Sequence, residues 1–242
     1  MQNLPPFFWS GHEWAHGQKW GLIHPNNTRQ YYDPYSVVVN HDKTLTLETE
    51  YKPQWFTIEG EKVFSPVGVG LISSTSAFSY GTFEIVAQLP SGKNLWPAFW
   101  LTAENAWPPE IDVFEAYTNS LGNYWHFDWK TPFAWWNIKT NIHYRGSMGK
   151  GEVGGKSKYF TFKNPRKKFI KYTLEWTPDK IEIKYDDIVV RLVTSQAILK
   201  TYKGHKMNVI LNNAVNHDAD LDSSHKKSKF NIHSFKYTPY NG

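Results

Sequence analysis

The sequence predicts an all-β protein, a sandwich or barrel of short strands, and three observations lead there. Apolar and polar residues alternate with period two along most of the chain. Turn-forming residues punctuate it about every 8–12 residues, giving about a dozen strands. Only Ser195 to Tyr202 carries a helical pattern, and it is short. The chain has 242 residues, 40% of them hydrophobic and 20% charged. That is enough to build a core within one domain spanning 1–242, and no linker, composition shift or internal repeat divides it.

The elements follow in order. Lys43 to Thr49 alternates through Leu45 and Leu47, as a half-buried strand does. Phe83 to Leu89 repeats the pattern through Ile85 and Ala87. Ile170, Tyr172, Leu174 and Trp176 fall on one face of a strand, and Ile181, Ile183 and Tyr185 on one face of the next. Ile188 to Val193 follows after a turn at Asp186-Asp187. Ser91-Gly92 and Pro178-Asp179 are turns with a mechanism, a permissive glycine in one and a fixed φ in the other. The scarcity of helix argues against a βαβ sheet, and no phosphate-cradling glycine motif is present.

Composition narrows the function classes. With no cysteine, disulfides, thiolate metal sites and a cysteine nucleophile are excluded. No apolar run approaches the roughly 18–20 residues of a bilayer crossing, so no membrane partner is expected. The opening MQNLPPFFWS lacks the form of a leader. The expected location is extracellular or periplasmic as a mature chain, with a phage- or virus-encoded origin also open. The formal charge is +5, yet residues 150–184 alone hold ten Lys or Arg against four acids. Such a run reads as a solvated face or as contact with an anionic polymer, either nucleic acid or a charged polysaccharide. No nucleic-acid reader motif accompanies it, so no nucleic-acid partner is expected.

Two motifs compete for the chemistry. His12-Glu13-Trp14-Ala15-His16 matches H-E-x-x-H, which binds zinc only when both histidines share one face of a helix. Gly11 and Gly17 bracket it, and Pro5-Pro6 precedes it, so a helix is not expected and no metal is assigned. The second stretch is more informative. Trp96-Pro-Ala-Phe-Trp100 leads through Trp107 to Glu110-Ile-Asp112-Val-Phe-Glu115, three carboxylates within six residues of a β-prone, apolar segment. Clustered like charges repel, so their proximity asks for a use.

On a regular strand Glu110 and Asp112 share a face, and Glu115 points the other way. One β-bulge near Val113-Phe114 returns Glu115 to the Glu110 face. Two carboxyl groups about 5–5.5 Å apart are the geometry of a retaining glycosidase. If residues 96–101 are extended, Trp96, Ala98 and Trp100 point one way, and flat indoles stack on sugar rings. Trp125, Trp129, Trp135 and Trp136 follow nearby. Asn141, His143 and Arg145 share a face by period two, so all three could look into a cleft.

These residues resemble glycoside hydrolase family 16, whose signature is E-x-D-x-x-E or the shorter E-x-D-x-E. Gly70-Leu-Ile-Ser-Ser, Phe78 to Glu84, Asn141-Ile-His143, Tyr172 to Asp179 and Met207 to Asn212 fall in the family's order. The resemblance implies a concanavalin A-like jelly-roll sandwich of two curved antiparallel sheets, with a substrate cleft on the concave face. It implies Glu110 as nucleophile, Asp112 as assisting acid and Glu115 as general acid/base. Trp96, Trp100 and Trp107 would line sugar subsites, and His143, with Asn141 and Arg145 on its face, would sit near the acid/base.

The implied activity is retaining, endo-acting hydrolysis of a β-linked polysaccharide, an endo-β-1,3(1,4)-glucanase of laminarinase type. Alternatives are a sulfated or plain β-galactan, a bacterial exopolysaccharide, or a non-catalytic lectin-like module. No cofactor is required. Some members carry a structural calcium, which no ligand-spaced acidic loop indicates here. The expected partner is the polysaccharide, bound by a monomer.

Overall fold

The computed structural model describes residues 4–18, 21–23, 27–119, 125–127, 134–136, 138–145, 151–152, 164–216, 222–223 and 226–242. From the N-terminus the strands run β1 (Phe7–Trp9), β2 (His12–His16), β3 (Gln30–Tyr32), β4 (Val37–Val39), β5 (Leu45–Ile58), β6 (Glu61–Val69), β7 (Leu71–Ser74), β8 (Gly81–Gln88), β9 (Leu95–Ala103) and β10 (Glu110–Ala116). They continue as β11 (Trp125–Phe127), β12 (Ala134–Trp136), β13 (Ile138–Tyr144), β14 (Gly151–Glu152), β15 (Ile170–Trp176), β16 (Ile181–Tyr185), β17 (Ile188–Val193), β18 (Met207–Val215) and β19 (Ser228–Pro239). The α-helix among the described residues, α1, is Gln196–Leu199. It is shorter than the 195–202 pattern, because the chain continues from Lys200 in turns. No helix among the described residues is long and apolar enough to cross a membrane.

Two sheets face each other. One has the order β1-β2-β7-β18-β9-β10-β13-β14, and the other β17-β16-β15-β8-β19-β5-β6-β3, with β4 also paired to β5. Pairing is antiparallel except at one edge, where β3 joins β6 in parallel. Burial alternates strictly along β8, β15 and β16. Their inward residues, such as Phe83, Tyr172 and Ile183, meet Phe99, Ile111, Phe114 and Leu211 from the other sheet in one core cluster. This is the layered packing that a period-two pattern requires. A smaller cluster of Tyr32, Val67, Val69, Leu71 and Ile210 forms by the β3–β6 edge, and Trp100 packs onto it.

Turn chemistry sets the local register. Ser10-Gly11, Glu59-Gly60 and Asp186-Asp187 all sit at positive φ. Each is the two-residue loop of a hairpin, the primed geometry whose twist suits the flanking strands. The H-E-x-x-H segment therefore becomes strand β2, with Trp14 fully buried. His12 packs on Phe78 and His16 on Phe7, and at the strand rise the two histidines stand roughly 13 Å apart. β5 runs nine residues beyond the expected Thr49. A register shift between Tyr51 and Gln54 accommodates Pro53, which has no N–H to give the ladder.

Candidate active site

β10 lies between β9 and β13, and its register carries one surplus residue. Asp112 pairs with Trp100 and Phe114 with Phe99 on β9, while Asp112 pairs with Asn141 and Glu115 with Lys139 on β13. Val113 is the inserted residue, and the shift is a bulge at the expected place. Val113 and Phe114 both turn into the core, while Glu110 and Glu115 stay half-buried on the opposite face. Glu110, Asp112 and Glu115 all line one cleft of about 780 Å³, within the usual size range of ligand-binding clefts.

Trp96, Ala98 and Trp100 line the same cleft, as their alternation implies, and so does Trp107. Each indole N–H has a partner. Trp96 Nε1 donates to Glu115 Oε1 at 3.1 Å, Trp100 Nε1 to Asn212 Oδ1 at 2.8 Å, and Trp107 Nε1 to Glu110 Oε2 at 3.3 Å. The polar edge of each ring is thereby fixed within the cleft wall. The side chains of Trp125, Trp129, Trp135 and Trp136 lie outside the described residues.

His143 stands behind the first two carboxylates. Its Nε2 is 3.4 Å from Glu110 Oε1 and 3.2 Å from Asp112 Oδ2. Asn141 Nδ2 is 3.0 Å from the same nitrogen, so Nε2 either accepts from Asn141 or donates to Asp112, according to its tautomer. Asn141 and His143 thus support Glu110 and Asp112 rather than line the cleft. Arg145 departs from the expectation. β13 ends at Tyr144, so Arg145 loses the strand's period, is exposed, and is not among the cleft residues. Glu110, Asp112 and His143 are also the group among the described residues whose donor atoms converge, within 4.8 Å, closely enough for a metal ion.

Two residues that hold cleft side chains in place escaped the sequence reading although period two could have found them. Tyr117, two residues past Glu115, donates its hydroxyl to Glu115 Oε1 at 2.9 Å and stacks on Trp96 at 5.1 Å. Asn212 holds Trp100 from the neighbouring strand β18. Gln30 and Tyr32 on β3 complete one end of the cleft, and no local signal in the sequence marks them.

Electrostatics follow from this crowding. Glu110 is pushed up to about 8, by burial first and then by the Asp112 charge, with His143 and the Trp107 N–H opposing. Glu115 is pushed up to about 7 by burial and Asp112, with Tyr117, Trp96 and His143 opposing. The wall therefore retains protons near neutrality that separate carboxyl groups would have lost. Both donors to Glu115 land on Oε1, which leaves Oε2 to carry a proton. Within the described part of the basic segment, Lys171 pairs with Asp187, Lys180 with Glu175, and Lys184 with Glu182.

Comparison with known proteins gives a consistent picture. A family model described as glycosyl hydrolases family 16 matches residues 25–234. Endo-1,3-1,4-beta-glycanase ExsH of Rhizobium meliloti (strain 1021) is 31% identical over 129 residues, 48% of this chain and 27% of that protein. A beta-1,3-glucan-binding protein of Penaeus monodon is 31% identical over 129 residues, 48% of this chain and 32% of that protein. The chain thus spans about a quarter to a third of the length of these curated relatives. A LamA variant from Z. galactanivorans, solved with laminaritriose and laminaritetraose, superimposes with a TM-score of 0.69 at 21% identity. It covers 92% of this chain and 90% of that one, a likeness of fold.

Proposed function

The chain belongs to glycosyl hydrolases family 16, and on that footing we propose that it is a retaining, endo-acting hydrolase of β-1,3- or mixed β-1,3-1,4-linked glucan. The observation that carries this reading is the bulged strand with Glu110, Asp112 and Glu115 on one cleft wall beside Trp96 and Trp100. The name of the Penaeus monodon relative supports glucan as the sugar, and that of the Rhizobium meliloti relative supports 1,3-1,4-β linkages. A wall with three carboxylates favours a neutral glycan over a sulfated galactan.

In the first step Glu110 attacks the anomeric carbon with a carboxylate oxygen. The glycosidic C–O bond breaks as Glu115 gives its proton to the departing oxygen, leaving a glycosyl ester on Glu110. In the second step water attacks the same carbon, its proton passes to Glu115, and Glu110 leaves as carboxylate. The double inversion retains the anomeric configuration. The productive form needs its proton on Glu115 and not on Glu110, the reverse of the order that burial sets. His143, in contact with both Glu110 and Asp112, lies on the correct side to favour it when its ring is protonated, and Asp112 can share the displaced proton.

Purified protein incubated with laminarin, mixed-linkage glucan, agarose, porphyran and carrageenan tests the substrate, read as new reducing ends. Proton NMR of the first products reads the anomer. Glu110→Gln and Glu115→Gln should each lower kcat on the best glucan by about 10²–10⁴-fold or more while keeping the fold. Turnover near wild type in either variant, or products of inverted configuration, would end the proposal. The Penaeus monodon relative favours one second reading, glucan binding without cleavage. That reading predicts affinity for laminarin with no gain in reducing ends.

A further inference from the structure

The catalytic strand is held from behind by two hydroxyls that the chemistry does not use. Val113 has no register partner on β9 or β13, and its carbonyl accepts instead from Tyr185 Oη at 2.9 Å. Tyr185 lies on β16 of the opposing sheet and is fully buried between the two. Tyr202 Oη reaches the carbonyls of Glu110 at 3.1 Å and His143 at 2.8 Å. Those two residues face each other across β10 and β13. Arg191, from the same part of the chain, bonds Thr140 on β13 through Oγ1 and the carbonyl.

We propose that Tyr185 and Tyr202 are positioning residues, their hydroxyls clamping the carbonyls of Val113 and of Glu110 and His143 and so setting Glu115 against Glu110. The physical reason lies in the core. Sliding the bulge along β10 would leave a buried hydroxyl and a buried carbonyl without each other, a cost that an apolar core does not offset. Tyr185 therefore selects the register in which Glu115 faces the sugar, and Tyr202 fixes the strand on the Glu110 side. Trp96 and Trp100 are placed by β9, a different strand from the one the two hydroxyls hold. The inference rests on the glycosidase reading for its kinetic test but not for its structural one.

Tyr185→Phe, Tyr202→Phe and Tyr237→Phe are compared. The last is a control whose hydroxyl likewise donates to a backbone carbonyl, that of Tyr80 at 3.0 Å, away from the cleft. Tyr185→Phe should lower kcat on laminarin about 10- to 100-fold with KM held, the penalty of a misplaced catalytic group. On 2,4-dinitrophenyl β-laminaribioside with added azide the loss should shrink to within about threefold. That leaving group needs no proton from Glu115, and azide needs no base. Tyr202→Phe should lose turnover on both substrates, because the nucleophile's strand is the one released, and it carries the test if Tyr185→Phe does not fold. A Tyr185→Phe enzyme equal to Tyr237→Phe on laminarin, or equally impaired on the activated substrate, would overturn the proposal.

Absence of activity in the wild type would instead sink the glycosidase reading. The clamp is then read by 13C NMR of labelled glutamate. Glu115 faces Asp112, His143, Trp96 and Tyr117, and its titration should move in Tyr185→Phe but not in Tyr237→Phe. An unmoved Glu115 resonance would overturn the inference without reference to any substrate.

Discussion

Replacing Tyr117 by Phe removes one of the two hydrogen bonds that Glu115 Oε1 accepts, while the ring stays stacked on Trp96. The lost bond favours the ionised carboxylate, so its removal raises the pKa of Glu115. A hydrogen bond to a charged group is worth about 1.5–3 kcal/mol, and about 1.36 kcal/mol corresponds to one pKa unit. Trp96 still donates at 3.1 Å and the cleft admits water, so the low end applies, about one unit. In the proposed mechanism Glu115, pushed up to about 7, is the acid, and the alkaline limb of kcat/KM then marks loss of its proton. That limb should move up by about one unit, the carboxylate cluster titrating jointly. The assay is laminarin hydrolysis followed as reducing ends across the pH range at substrate well below KM. An alkaline limb that stays in place, or moves toward acid, would refute the assignment of that limb to Glu115.

Asp112→Asn should do the opposite. The Asp112 charge raises both glutamates, so its removal shifts the alkaline limb toward acid, by about one unit, alongside a fall in kcat; a shift upward would contradict the electrostatic account. Trp100→Ala should raise KM for laminarin about 30-fold, equivalent to about 2 kcal/mol of lost stacking area, with kcat changed far less. Isothermal titration of an inactive Glu110→Gln background would show the same loss as affinity. His12 and His16 are held below their ordinary pKa by burial. Their neutral forms therefore stabilise the fold above the unfolded pKa near 6.5, and that contribution is lost as pH falls below about 6.5 and through the lowered folded values. Melting temperature should drop on acidification, and less steeply in a His12→Gln/His16→Gln variant.

The alternation of Ile170 to Trp176 and of Ile181 to Tyr185 was legible in the sequence because each strand buries one face and wets the other. Glu110, Asp112 and Glu115 were legible for a different reason: three acids in an apolar strand are costly enough to announce a site, and their odd spacing demanded a bulge. Trp96 and Trp100 followed from the same period. What sequence reasoning could not reach was contact between distant segments. Tyr185 meets Val113 across 72 positions and Tyr202 meets Glu110 across 92, and nothing local distinguishes their hydroxyls from any other core tyrosine. Arg145 failed because period two holds only while the strand continues, and the strand stops one residue short. The length of β5 was hidden by Pro53, which reads as a strand breaker until a bulge houses it.

Val113 and Phe114 are adjacent, yet neither exposes any surface. Deleting Val113 would leave Glu-Ile-Asp-Phe-Glu, in which simple up-and-down order already sets every acid on the outer side. The surplus residue is thus invisible to a bound glycan and felt only by the interior, where Phe114 meets Phe99, Tyr172 and Phe230. The shorter spacing would give the same outward order of acids, but only with those rings repacked and the buried Tyr185 hydroxyl supplied with another acceptor.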